Sequence, residues 1–265
     1  MSLRPFHLWL VSLCTFAVAM VLAPDQRIAL AVGMIAHVPV FLWGVFDIRA
    51  QFFCHALFRA PAEEHMVAVT FDDGPDPELT PAILDLLKRH AATATFFVVG
   101  AAAEKHPDLV KRMVAEGHTV ACHDLTHSVL ANFRLTRQMI REIGAARDSI
   151  AGITGKAPAL YRPPVGLANP HLGKALDTLG MTCIGWSRSA RDAGNRREGR
   201  LKELRALADP GEVIMLHDCL PRRELKEKVL DNVNRLLEAI ERRGLRAVSV
   251  NELFAVPAYG NARGA

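Results

Sequence analysis

Asp72 and Asp73 stand side by side where the apolar run Val67-Ala68-Val69-Thr70-Phe71 ends, and a Gly74-Pro75 turn follows them. Adjacent residues leaving a strand point to opposite sides, so one carboxylate is free to bind a cation while the other handles a proton. Taken alone, the stretch also fits an Asp-Gly turn carrying a solvated acidic pair. Further along, His123-Asp124-Leu125-Thr126-His127 spaces two imidazoles at i and i+4. A helical turn would put both on one face, near enough to share a metal; two ordinary histidines are the alternative. A carboxylate from a neighbouring strand end, for which Asp73 is the choice, completes a His, His, Asp set with a fourth position open for water. That pattern marks catalytic rather than structural zinc. Hydrolysis at such a site needs a base and an acid. Asp72 is the candidate base and His217 the candidate acid. Arg162 is suited to hold Asp72 ionised through a fork-shaped hydrogen bond, and Asp192 to orient His217 and raise its pKa. The plainer readings are an arginine bracing a loop before Pro163-Pro164, and a simple turn at His217-Asp218.

The elements that must position these groups alternate along the chain. Seven β-prone runs are expected as strands: Val67 to Phe71, Ala94 to Val99, Thr119 to Ala121, Ala159 to Tyr161, Thr182 to Trp186, Val213 to Leu216 and Arg246 to Val250. Helical-period segments separate them, the signature of βα units around a parallel sheet. Thr80-Pro81 reads as an N-cap and first helical position, and Gly117, Gly180 and Gly244 as helix stops. No glycine-rich dinucleotide or phosphate loop follows the first strand, so an irregular βα barrel is favoured over an open doubly wound sheet. In such barrels the active site lies at the carboxyl ends of the strands, where Asp72, Asp73, His123, His127, Arg162, Trp186 and His217 all fall.

Half of the 265 residues are hydrophobic, and the surplus sits at the front. Residues 8–23 and 28–46 are uncharged, and each run approaches the about 20 residues needed to cross a bilayer. Trp9, Trp43 and Phe46 lie near their ends as interfacial anchors would, and Pro24-Asp25-Gln26-Arg27 suits the turn of a hairpin. A cleaved signal peptide is the rival for the first run. Arg4, Arg49 and Arg59 outnumber Arg27, so the positive-inside rule puts both ends of the hairpin, and the domain behind it, in the cytoplasm. The expected division is an anchor over 1–60, a catalytic domain over 64–255 and a tail over 256–265. Five cysteines without a CxxC pair suggest neither a disulfide framework nor a thiolate zinc site. The net charge of +4 implies no nucleic-acid partner. The arginines at 188–200 and at 222–223 read as solvated faces ahead of an anion or lipid-headgroup site.

Thr70 to Pro75 (TFDDGP), His123 to His127 (HxxxH), Arg162 to Gly166 (RxPxG) and Leu216 to Asp218 (LHD), in this order, resemble the NodB-type polysaccharide deacetylases, carbohydrate esterase family four. The resemblance spans roughly Met66 to Val250. It implies a distorted (β/α)7 barrel, here preceded by a transmembrane hairpin, and metal-dependent removal of N-acetyl groups from amino sugars. By position it implies Asp72 as base, Asp73, His123 and His127 as ligands of a divalent metal, most naturally zinc, and His217 as acid. It further implies the backbone N–H of Val165 as an oxyanion donor, and Leu216 and Trp186 as pocket wall. A motif resembling WSxDxRDW keeps Asp192 but lacks the final tryptophan, Val165 replaces an aromatic residue, and Cys122 stands where Asn is common. With the hairpin and the arginines after strands five and six, these departures point to a lipid-linked or membrane-proximal N-acetylated glycan, with a polysaccharide such as peptidoglycan or a chitin-like polymer as the other substrate. A deformylase or esterase on the same scaffold, or an idle glycan- or lipid-binding module, is the alternative.

Overall fold

The computed structural model describes residues 4–61, 65–128, 130–190, 209–219 and 223–260. Its strands are β1 (Ala56–Leu57), β2 (Met66–Asp72), β3 (Thr95–Val98), β4 (Thr119–Cys122), β5 (Ala157–Pro158), β6 (Leu160–Tyr161), β7 (Thr182–Ile184), β8 (Arg188–Ser189), β9 (Val213–His217), β10 (Arg246–Val248) and β11 (Tyr259–Gly260). The main sheet is parallel, with the order β1-β7-β6-β4-β3-β2-β9-β8 and β10 beside the first half of β2. β7 and β8 lie toward opposite ends of that order, yet only Gly185, Trp186 and Ser187 separate them in the chain. A flat sheet cannot meet that constraint, so this one curls. The curl fits the expected distorted barrel.

Strand alternation sorts the side chains. Val67, Val69 and Phe71 of β2 join Phe96, Val120, Tyr161, Ile214 and Leu216 in the large core between sheet and helices. Ala68, Phe97, Ala121, Leu160, Ile184 and Val213 face the other way and form a smaller apolar plug inside the curl. The residues that continue this inner face toward the strand ends are Thr70 and Asp72, then His123, Arg162, Trp186, Met215 and His217. An interior set with period 2 therefore carries the polar chemistry to one end.

At the front, helix α1 (Pro5–Leu22) is followed by α2 (Arg27–Ile35) and α3 (His37–Phe46). The segments Pro5–Leu22 and Pro24–Phe46 are long and apolar enough to cross a membrane, a property shared with signal sequences. Within the pair, the Trp9 indole N–H donates to the His37 carbonyl at 3.1 Å. The base of the pair is fastened to the domain. Arg4 reaches Asp177 at 2.7 Å and the Phe53 carbonyl at 2.9 Å, and the Ala168 N–H donates to the Val45 carbonyl at 3.1 Å. Phe6, Trp9, Phe41 and Val45 pack against the large core.

Two expected boundaries shift. Ile48, Phe52, Phe53, Cys54 and Ala56 are buried in the domain, β1 pairs with β7, and Arg59 bridges to Glu212. The last part of the expected anchor is thus apolar because it is core. Similarly, β11 in the expected tail pairs with β5, and the Val120 N–H donates to the Tyr259 hydroxyl at 3.1 Å.

Candidate active site and metal centre

β2 delivers Asp72 to the interior, where it is 2% exposed beside an Arg162 that is fully buried. Arg162 Nη1 donates to Asp72 Oδ1 and to Thr70 Oγ1, both at 2.7 Å. Nη2 donates to the Gly185 carbonyl at 2.9 Å and Nε to the Ile184 carbonyl at 3.3 Å. The expected fork onto Asp72 is therefore a single charged hydrogen bond. The Nε and Nη2 donors go to carbonyls where the sheet bends after β7. Phe97 lies under the guanidinium at 4.0 Å. Burial draws the arginine's pKa down and Asp72 pushes it back up.

Asp73, in a left-handed conformation with φ 74°, turns its carboxylate the other way. Its Oδ1 lies 3.3 Å from His123 Nε2 and 3.1 Å from His127 Nε2. The three ligand atoms fall within 4.8 Å of one another. Oδ1 is shielded from solvent but makes no well-aligned hydrogen bond. His123 Nδ1 donates to the Arg162 carbonyl at 2.8 Å, which leaves the Nε2 lone pair aimed at the cluster. Converging lone pairs with no proton properly shared between them suit a divalent metal. Burial alone would raise the Asp73 pKa; contact with the two imidazoles overrides it and holds the carboxyl well below the usual range. Asp73 in turn raises the pKa of His127.

The two histidines do not sit on a helical turn. Residues 123–127 form a loop in which Asp124 and His127 have positive φ, 66° and 49°. Asp124 is buried, accepts from Arg134 Nη1 at 2.7 Å, and its carbonyl accepts from the Gly100 N–H. These contacts hold the loop in place of helical hydrogen bonds. Cys122 points into the large core, so the residue expected to affect the shell of His123 is replaced in that role by the Arg162 carbonyl.

Asp72, Asp73, His123, His127, Val165, Gly166, Trp186, Ser189, Met215 and His217 line one cavity of about 440 Å³. Val165 is exposed on its rim with φ 57°, a conformation costly for a β-branched residue. At Gly166 a Cβ would run into the Trp186 ring. Leu216, expected in the wall, is in the large core instead. One residue changes the face of a strand, so Met215 lines the cavity beside His217. Asp192 lies outside the described residues, as do the arginines at 191–200 and Arg222.

Thr70 and Met215 were given no role from the sequence, and Asp218 stood beside His217 at a strand end without one. Thr70 shares the parity of Asp72, and Met215 that of His217, which was the available signal. Asp218 is sealed beneath the site. It accepts from Thr80 Oγ1 at 2.7 Å, and burial pushes its carboxyl up to about 7, helped by the charges of Asp73 and Asp72. Its carboxylate fills the space that a Cβ on Gly74 would need. Thr80 is thus a partner of Asp218 rather than the helix cap. Asp76 Oδ1 accepts from the Glu78 and Leu79 N–H groups at 2.8 and 2.9 Å in the turn that leads into the helix Thr80–Arg89.

The polysaccharide deacetylase family model matches residues 59–184. A peptidoglycan-N-acetylglucosamine deacetylase of Bacillus cereus is 31% identical over 203 residues, an alignment covering 76% of this chain and 93% of that protein. The chain belongs to the polysaccharide deacetylase family. Another relative in the family, the peptidoglycan-N-acetylglucosamine deacetylase PgdA of Listeria monocytogenes, is 32% identical over 71% of this chain, which spans only 38% of PgdA's length. The family fold is met again in the crystal structure of the Bc1960 peptidoglycan N-acetylglucosamine deacetylase in complex with an N-oxidanyl-benzamide. It superposes with a TM-score of 0.71 at 30% identity, covering 77% of this chain and 94% of that one.

Proposed function

We propose that this deacetylase-family chain hydrolyses the acetamide of N-acetylated amino sugars in a cell-wall or membrane-associated glycan, with zinc held by Asp73, His123 and His127. The observation that carries the reading is the division of one cavity between a convergent Asp, His, His set and an Asp72–Arg162 pair held at 2.7 Å. Bound to the three ligands, a divalent metal supplies Lewis-acid polarisation of the acetyl carbonyl and acidifies water. Asp72, held in place by the hydrogen bond from Arg162, takes the proton from the attacking water. The N–H of Val165 receives charge developing on the carbonyl oxygen, and Trp186 and Met215 border the space for the acetyl methyl. The new C–O bond forms, the C–N bond breaks, and His217 protonates the departing nitrogen. The products are acetate and a free amine on the sugar. Peptidoglycan and related N-acetylglucosamine polymers are the substrates suggested by the relatives' names.

The test is acetate release from N-acetylated oligosaccharides by the zinc-loaded chain. Asp72→Asn is expected to lower the rate by about 10²–10⁴-fold with zinc still bound. Equal rates for the two proteins would refute Asp72 as the base. No acetate from any N-acetylated sugar would refute the reaction.

A further inference from the structure

The surface beside the cavity mouth carries an apolar cluster that the chemistry does not use. Leu130, Phe133 and Leu135 are all exposed, Phe133 by 81%, and exposed Val165 lies across a narrow cleft lined by Ala131, Asn132, Pro164 and Leu167. Isolated exposed apolar side chains are ordinary, but a cluster beside a site marks a contact surface. Basic residues flank it. Arg137 and Arg141 are exposed on the first turns of the helix Thr136–Thr154, with no ion pair among the described residues. Cations at a helix N-terminus oppose the helix dipole, so their placement does not serve the helix.

The cluster is joined to the base of the apolar hairpin by short links. Val45, at the end of α3, accepts from the Ala168 N–H, and the next residue, Asn169, donates to the carbonyls of Asn132 at 2.7 Å and Arg134 at 3.1 Å. The hairpin's length sets its depth. α1 has 18 residues, or about 27 Å at 1.5 Å per residue, against a hydrocarbon core of about 30 Å. A helix this short spans only if its first turns lie at the boundary, and there Phe6 and Trp9 already pack on the domain. The domain face around the hairpin base then has no gap separating it from the headgroups.

We propose that the loop from Leu130 to Leu135, with Arg137 and Arg141, is a second membrane contact that lays the rim of the cavity on the bilayer holding the hairpin. Apolar tips enter the interface while the arginines meet anionic headgroups. The consequence for substrate rests on the deacetylase reading: the N-acetylated sugar reaches the cavity from the membrane surface, as the head of an amphiphile.

The contact is tested without turnover, so its failure and the failure of the reaction are separable. The full chain, with exposed Cys14 and Cys219 replaced by Ser, is reconstituted in vesicles of phosphatidylcholine and phosphatidylglycerol. A nitroxide is attached at Phe133→Cys. Matched labels at Glu238→Cys, on the helix Lys226–Arg242 that packs against Thr80–Arg89, and at Val18→Cys in α1 serve as aqueous and bilayer references. Phe133 is solvent-facing, so its replacement leaves packing intact. The expected result is collision with oxygen over a water-soluble nickel chelate at 133, at least several-fold above the ratio at 238, and a smaller ratio in vesicles of phosphatidylcholine alone. A label at 133 as open to nickel as the one at 238 would overturn the contact. So would a ratio at 133 that does not respond to the anionic lipid.

Discussion

Asp72 and Asp73 are consecutive, yet they occupy opposite kinds of surroundings. Asp72 and Arg162 lie in a sealed half of the cavity, 2% and 0% exposed, where every charge is answered by protein. Asp73 and His127 lie in an open half, their side chains 27% and 28% exposed, where three ligand atoms face one another without a well-aligned proton between them. The sealed half is an ion pair closed within the protein, whereas the open half gathers three atoms of the kind that ligate a cation. A buried ion pair is costly to break because the survivor stays buried and unpaired. A coordinating set lacking one donor loses affinity but strands no charge in an apolar setting. Function in the two halves should therefore fail in different ways.

The largest effect tests the sealed half. Arg162→Met removes the only cation on Asp72 among the described residues and the donors to the Ile184 and Gly185 carbonyls. It should destabilise the domain by about 3–5 kcal/mol, read as the shift of the urea midpoint at unchanged slope. In the open half, His127→Ala should leave the urea midpoint within about 1 kcal/mol of the parent, as for a half-exposed side chain. It should nevertheless weaken zinc binding at least as much as loss of an outer partner of a ligand does, about 10–100-fold by chelator competition. Similar stability losses for the two variants would erase the distinction.

A third effect, confined to acid pH, comes from a buried group outside both halves. His118 is 4% exposed, its Nε2 lacks a hydrogen-bond partner, and burial pulls its pKa down to about 4. The unfolded chain binds this proton near pH 6.5 and the folded one does so only near 4. Stability from His118 is thus full above pH 6.5 and is lost as the pH falls toward 4, by up to about 3 kcal/mol. His118→Gln should flatten that part of the stability-against-pH curve, measured by urea unfolding at each pH. An unchanged slope would show that His118 does not titrate in that window.

Much of this was legible in the chain. The strand runs are visible because Val67 to Phe71, Thr182 to Ile184 and Val213 to Leu216 are β-prone side chains bounded by polar or turn residues. The gathering of Asp72, Asp73, His123 and His127 at one cavity follows from residue type at strand ends. What escaped depended on geometry that residue type does not encode. The Leu216–Met215 exchange is a question of parity, settled by which face of β9 meets the cavity. The loop carrying His123 and His127 depends on left-handed backbone at Asp124 and His127, which neither residue announces. Asp218 looked like a turn residue because its partner, Thr80, is 138 positions away. β1 and β8 are two residues long, too short to register as a period.

Arg162 also constrains how a chain of this kind can diverge. Its guanidinium reaches the carbonyls of Ile184 and Gly185 where β7 ends, so the group that orients Asp72 also ties down the bend at which the sheet rolls toward β8. Selection for a folded chain alone would therefore preserve it. On the proposed mechanism, a descendant that survived only as a binding protein would be expected to shed His127 or Asp73 first, and to keep the arginine long after them.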